Sequence, residues 1–150
     1  MDKIKKAVYV HCKQIVADKI RIAKEAVETA RQAAVSEEKS TAGDKYDTAR
    51  AMSHINEGMF SNQLNEVSKL KKLLDQVVMD KKFSKIESGA LIKTTNATYF
   101  MVASIGAINV ENETIMVISP LSPLGQLMLN KSVKDSFTFN NQSVKILEIS

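Results

Sequence analysis

At 150 residues, with 44% hydrophobic and 25% charged side chains, the chain is long enough to bury one core or two small ones. No apolar run approaches the roughly 18 residues of a membrane span, and the single cysteine, Cys12, excludes an internal disulfide and fits a reducing compartment. The net charge of +4 lies wholly in the first half: residues 1–82 carry 16 Lys and Arg against 12 Asp and Glu, while residues 83–150 carry 5 against 5.

A basic half can meet nucleic acid or an acidic protein surface. Here the cations alternate with anions at helical spacing, as in Lys24/Glu28 and Glu66/Lys69, with no aromatic interleaving. That pattern marks a solvated helix face, so direct sequence-specific nucleic-acid binding is not expected. The first residues, MDKIKKAVYVHCKQIV, begin like a signal peptide, but AVYV is far too short for its apolar core and Lys13 interrupts it. The expectation is a cytoplasmic protein without a membrane partner.

Residues 3–35 contain neither Gly nor Pro. Val8, Ile15 and Ile22 recur at sevens, with Cys12, Ala26 and Ala33 on a flanking row. Residues 44–82 repeat the habit with Met52, Ile55, Met59, Val67, Leu70, Leu74 and Val77. Such narrow stripes suit cover by one partner helix. At about 1.5 Å per residue each helix would run roughly 50–60 Å, and the polar break between them predicts an antiparallel coiled-coil hairpin over residues 1–82.

The break reads SEEKSTAGDKYDTAR. Thr41 and Asp44 have the spacing of a capping box, and Asp44 and Asp47 suit the positive end of the second helix. Glu37 and Glu38 fall at the negative end of the first helix, where a carboxylate gains nothing. Glu37, Glu38, Asp44 and Asp47 are therefore either a solvated turn or the working tip of a hairpin. In the second case they could help hold Mg²⁺, which takes one or two protein carboxylates and otherwise water or phosphate. A hairpin tip makes no dry pocket, so such a site would be completed by another molecule.

After residue 83 the period becomes two. ALIKT, TYFMVAS, TIMVIS, SFTFN and SVKILEI read as strands, with Asn140-Asn141 closing a hairpin. SPLGQLMLNK reads as a short helix opened by Ser-Pro and ended by Asn130 in the left-handed conformation. Residues 83–150 are thus expected to form a small antiparallel sheet with one short helix, making the fold class α+β. There is no Gly-rich phosphate loop, and His11-Cys12 lacks metal-ligand spacing, so no catalytic site of the chain's own is evident.

Residues 115–149 resemble the C-terminal domain of the bacterial Gre transcript-cleavage factors. A strand leads into Ser122-Pro123, a short apolar helix containing Gly125, then Asn130-Lys131, Asp135 and a closing hairpin ending at Ile146–Ile149. DKYDTAR (44–50) is similar to the start of that family's second helix, with an acid, Tyr46 and Ala-Arg50 in the same order. The resemblance implies a coiled-coil hairpin followed by an FKBP-like domain. It also implies RNA polymerase as the partner, with the hairpin in the secondary channel and its tip near the active site. Tyr46 and Arg50 would be tip contacts, and Glu37 and Glu38 the candidates for a Mg²⁺ shared with the polymerase during transcript cleavage. The positions of the family's own tip acids fall here on Lys39 and Ala42, so the resemblance bears on polymerase binding more directly than on cleavage. The alternative is a coiled-coil interaction module on a structural β domain, with another protein as partner.

Overall fold

The computed structural model of the chain describes residues 2–38 and 43–150, and for residues 37–38, 43–50 and 53 the backbone alone. The elements are α1 (Asp2–Glu38), α2 (Gly43–Asp75), β1 (Leu91–Thr94), β2 (Thr98–Met101), β3 (Gly106–Val110), β4 (Glu113–Ile118), α3 (Pro123–Met128), β5 (Ser136–Phe139) and β6 (Gln142–Ile149). This is an α+β chain, as its change of period predicts. It forms two compact units, one of Met1–Lys13 with Lys72–Ser150 and one of Gln14–Lys71. The second helix, expected to reach residue 82, ends at Asp75, so Val77 lies beyond it and residues 76–90 connect it to β1; the strand-bearing unit also takes in the start of α1 and the end of α2.

In the helical unit α1 and α2 run antiparallel. Ile22 and Ala26 of α1 line a groove with Gln63 and Val67 of α2, and further along Ala30 and Ala33 line one with Asn56 and Phe60. The packed row differs from the sevens in the sequence. Val16, Ala23, Ala30 and Ala34 are buried, while Ile22 is 57% exposed. The two rows lie about 100° apart on one helix. Small Ala side chains let a neighbouring backbone approach, so the Ala row takes the interface and the Ile row flanks it. On α2, Phe60, Leu64 and Val67 are half-buried, and Met52, Ile55 and Met59 are mostly exposed.

The strand-bearing unit holds a six-stranded sheet in the order β3-β4-β2-β1-β6-β5. Five strands were legible. The sixth, β3, lies in GAINVENE, which the sequence reading leaves as a connection. Ile108 and Val110 of β3 are buried and alternate with exposed Ala107 and Asn109. Glu111 and Asn112 take φ of 52° and 64°, the two-residue turn that joins β3 to β4. Asn140 and Asn141 do the same between β5 and β6, at 52° and 61°, as expected.

The sheet is mixed, not wholly antiparallel. β2 runs parallel to β4, with Thr98 opposite Ile115 and Phe100 opposite Val117. The chain leaves β2, forms β3 at the outer edge, and returns as β4 between the two. β1 pairs antiparallel with β2 and with β6, slipping register between Lys93 and Thr94. Thr94, buried at that slip, is satisfied locally, its Oγ1 donating to the Ala97 carbonyl at 2.6 Å and accepting from the Ala97 N–H at 3.1 Å.

Both faces of the sheet are covered at its centre, where β2 is buried throughout. On one face Ile86, Ile92, Tyr99, Met101, Phe137, Val144 and Ile146 pack with Met128 of α3. Full burial of a side chain such as Met128 contributes about 1.5–3 kcal/mol. Leu91, Phe100, Ile115 and Val117 are buried on the other face. The start of α1 joins this unit through Val8 and Cys12, both fully buried, and Tyr9, whose hydroxyl donates to the Leu74 carbonyl at 3.0 Å.

Burial pushes the Cys12 thiol up to about 12, so at neutral pH it is a small apolar side chain with almost no thiolate. Cys12 is therefore expected to react with a disulfide reagent only as fast as the chain opens. Labelling kinetics followed through a urea titration check this, with native-state labelling at the rate of a free thiol as the contrary result.

Candidate functional site

Two regions carry the candidate residues. Glu37 and Glu38 form the last turn of α1, and Asp44, Tyr46, Asp47 and Arg50 lie in the first two turns of α2. Their side chains, and Lys39 to Ala42 altogether, fall outside the described residues, as does the Thr41–Asp44 capping box. The backbone does place both Glu residues at a helix C-terminus with no basic residue in its last turn. Like-signed charge there is unfavourable by a few tenths of a kcal/mol or more. Among the described residues, no three His, Cys, Asp or Glu side chains come together.

The second region is α3 and its approaches. Ser122 is its N-cap: the Oγ accepts from the Gly125 N–H at 3.0 Å and donates to the Ser119 carbonyl at 2.6 Å. Pro123 occupies the first helical position, where a missing N–H costs nothing. Gln126 Nε2 reaches back to the Pro120 carbonyl at 2.7 Å, and the Leu121 N–H donates to Ser119 Oγ at 3.1 Å. The close approach explains Gly125. A Cβ there would sit 2.1 Å from the Ser119 carbonyl oxygen, which is backbone and cannot swing away.

Beyond α3, Asn130 takes φ 66°. Its N–H donates to the Ile86 carbonyl while the Ile86 N–H donates to the Lys131 carbonyl, both at 2.9 Å. Asp135 accepts the Ser132 N–H on Oδ2 at 2.8 Å, and its own carbonyl accepts from Ile146 at 2.9 Å. Ser122, Gly125, Lys131 and Asp135 therefore act in shaping one tied loop and helix. Beside polar Gln126 and Asn130, that frame also presents apolar side chains to solvent. Leu121 is 84% exposed, and Pro123 and Leu127 lie one turn apart on the outer side of α3. Leu121 was not singled out by the sequence, since an isolated leucine in a Ser/Pro-rich connection carries no periodic signal.

Lys5 was missed too, although a signal existed. It precedes Val8, Cys12 and Val16 at spacings of three and four, a lysine on an otherwise apolar row. Lys5 is only 2% exposed, and its Nζ has no hydrogen-bond partner. The ammonium sits 4.7 Å above the centre of the Phe83 ring, a contact that offsets part of the desolvation. Burial lowers the Lys5 pKa from 10.5, and Asp2 opposes that shift.

Two outcomes follow from these geometries. Gly125→Ala should cost about 2–3 kcal/mol in a urea melt, the penalty of forcing a methyl group against packed backbone. Lys5 binds its proton less well folded than unfolded, so the unfolded chain carries more protons in the window that ends at 10.5. Its contribution to stability should therefore rise with pH across that window. Cys12, with its thiol raised, contributes the opposite slope above about 9. Comparing the wild type with Lys5→Met at each pH cancels the Cys12 term, and the stability of the wild type relative to the variant should rise as pH rises toward 10.5.

No family model matches the chain, and no curated protein does. No helix among the described residues is long and apolar enough to cross a membrane. A solved structure titled "Structure of the transcription factor Gfh1" is similar over 96% of this chain and 94% of that one, with 16% identity and a TM-score of 0.35. At that identity and TM-score the likeness carries no argument about what this chain does.

Proposed function

We propose that the protein is a transcription regulator that binds bacterial RNA polymerase at its secondary channel, with the α1–α2 bend directed toward the polymerase active site. The observation that carries this reading is the segment from Ser119 to Asp135. There the Gre-like residues Ser122, Pro123, Gly125, Lys131 and Asp135 are spent on one rigid frame, and the frame holds Leu121 out into solvent. An exposed apolar side chain on a tied backbone is a low-entropy anchor for a partner. The antiparallel pairing of α1 and α2, with Glu37 and Glu38 at the end of one and Asp44 and Asp47 at the start of the other, supports the same reading.

The protein would act through the polymerase's catalytic centre. Two-metal phosphodiester hydrolysis needs one ion to activate water and another to steady the leaving oxygen. Glu37 and Glu38 are the residues proposed to share that second Mg²⁺, if the protein stimulates transcript cleavage at all. The exposed row of Met52, Ile55 and Met59 favours a second reading, in which α2 docks on another protein and the sheet is structural.

Immobilised protein should retain core polymerase at micromolar concentration and compete there with a Gre factor. Leu121→Asp should weaken retention at least about tenfold, equivalent to about 1.4 kcal/mol. A Met52→Asp, Met59→Asp double variant should leave it unchanged. Failure of the wild type to retain polymerase would select the second reading, and loss of retention in the double variant alone would move the polymerase contact from Leu121 to α2. In stalled elongation complexes, replacing Glu37 and Glu38 by Ala should abolish RNA shortening if the bend supplies the metal, and unchanged shortening excludes those two residues.

A further inference from the structure

The strand-bearing unit contains a cavity of about 450 Å³ lined by the first turn of α1, residues 79–83, and Ile149 and Ser150. Four lysines, Lys5, Lys6, Lys81 and Lys82, face two aspartates, Asp2 and Asp80, around it. Lys81 is already engaged, 2.6 Å from Glu87. Among the described residues, two buried side-chain polar atoms have no partner, Lys5 Nζ and Ser150 Oγ, and both residues line this cavity. Buried polar atoms are nearly always satisfied, and a buried ammonium without a counter-charge is costlier than a hydroxyl. Both atoms lie beneath the cavity wall, out of reach of solvent, so the Lys5 charge is felt in the cavity without a direct contact to it.

The chemistry of that acceptor follows from the wall. Ammonium groups only donate, and a hydroxyl can donate. The first turn of the 37-residue α1 places a helix's positive end on the same wall. Asp2 lies in the same turn as Lys5 and raises its pKa, yet burial remains the larger effect. The cavity volume falls in the range of small-molecule sites. With one face of Phe83 under Lys5 and Lys81 also within 5.2 Å of its ring centre, that aromatic is committed to cations and not to stacking a base.

We infer that this cavity binds a small polyanion, whose oxygens are met by Lys6 and Lys82 and whose charge is stabilised through the wall by the buried Lys5 ammonium. Phosphate and carboxylate oxygens share this chemistry. In a site of low effective dielectric an oxyanion stabilises the Lys5 ammonium across several ångströms. The inference does not depend on RNA polymerase being the partner.

Titration calorimetry of the full chain at constant ionic strength tests it, with pyrophosphate in one arm and citrate in the other. Saturable binding is expected, weakened about tenfold by Lys5→Met. It should be weakened less by Lys82→Ala, an exposed position whose replacement leaves the fold intact, and be unchanged by Lys93→Met, outside the cavity. Binding of pyrophosphate alone assigns a phosphate-bearing ligand, and of citrate alone a carboxylate. Absence of saturable heat in both arms, or equal binding by wild type and both cavity variants, overturns the inference. Should Lys5→Met fail to give the wild-type circular dichroism spectrum, the Lys82→Ala comparison decides.

Discussion

The strand-bearing unit depends on one apolar layer, the seam between the sheet and α3. Ile86, Met101, Met128, Phe137 and Ile146 come from five separate stretches of chain and meet there out of contact with water. Because the layer is drawn from distant residues, each stretch must be held by its own backbone bonds before the side chains can interlock. The reciprocal bonds of Ile86 with residues 130 and 131, and of residues 134 and 135 with Ile146, do this where no regular strand exists. Non-directional burial supplies the driving force, and these bonds supply the register.

The same layer explains how α3 divides its residues. Met128 and Gly125 face inward, one filling the seam and the other yielding to the Ser119 carbonyl. Their partners across the short helix are left outside, which is why Leu127 and the preceding Leu121 meet solvent. An element of six residues cannot bury more than one side. Its exposed leucine is thus a by-product of a tight turn that has the right shape to serve as an anchor, and that joint origin links the frame to the proposed partner.

Much of this was legible from periods and punctuation. The succession of two long helices and then short strands, the Asn140-Asn141 turn and the Ser-Pro start of α3 all rest on local chemistry, and local chemistry is written in neighbouring residues, although the second helix stops at Asp75 and not at residue 82. What could not be read is non-local. The choice between the Ile15/Ile22 row and the Val16/Ala23/Ala30 row is made by how closely α2 approaches. The parallel pairing of β2 with β4 depends on where β3 lies, and β3 escaped notice because its Ala107 and Asn109 dilute the alternation. Lys5 was overlooked because a lysine at a helix start is ordinarily solvated, which outweighs its place on the apolar row of Val8, Cys12 and Val16. The acids at the bend, the residues on which the cleavage question turns, gave a sequence signal whose side-chain geometry lies outside the described residues.

The position of β6 has a consequence for how the protein is made. It lies between β1 and β5 in the sheet, and Ile92 is opposite Ile149. During synthesis the helices can coil as they emerge, since their bonds span four residues and form within about a microsecond. The sheet cannot close until its second-to-last position in space is filled by its final strand in sequence. Its folding is governed by bringing together segments more than 50 residues apart, a slow class of event for a unit of this size. Until β6 arrives, β1 presents a bare edge of Leu91 and Ile92, the kind of surface that invites mispairing.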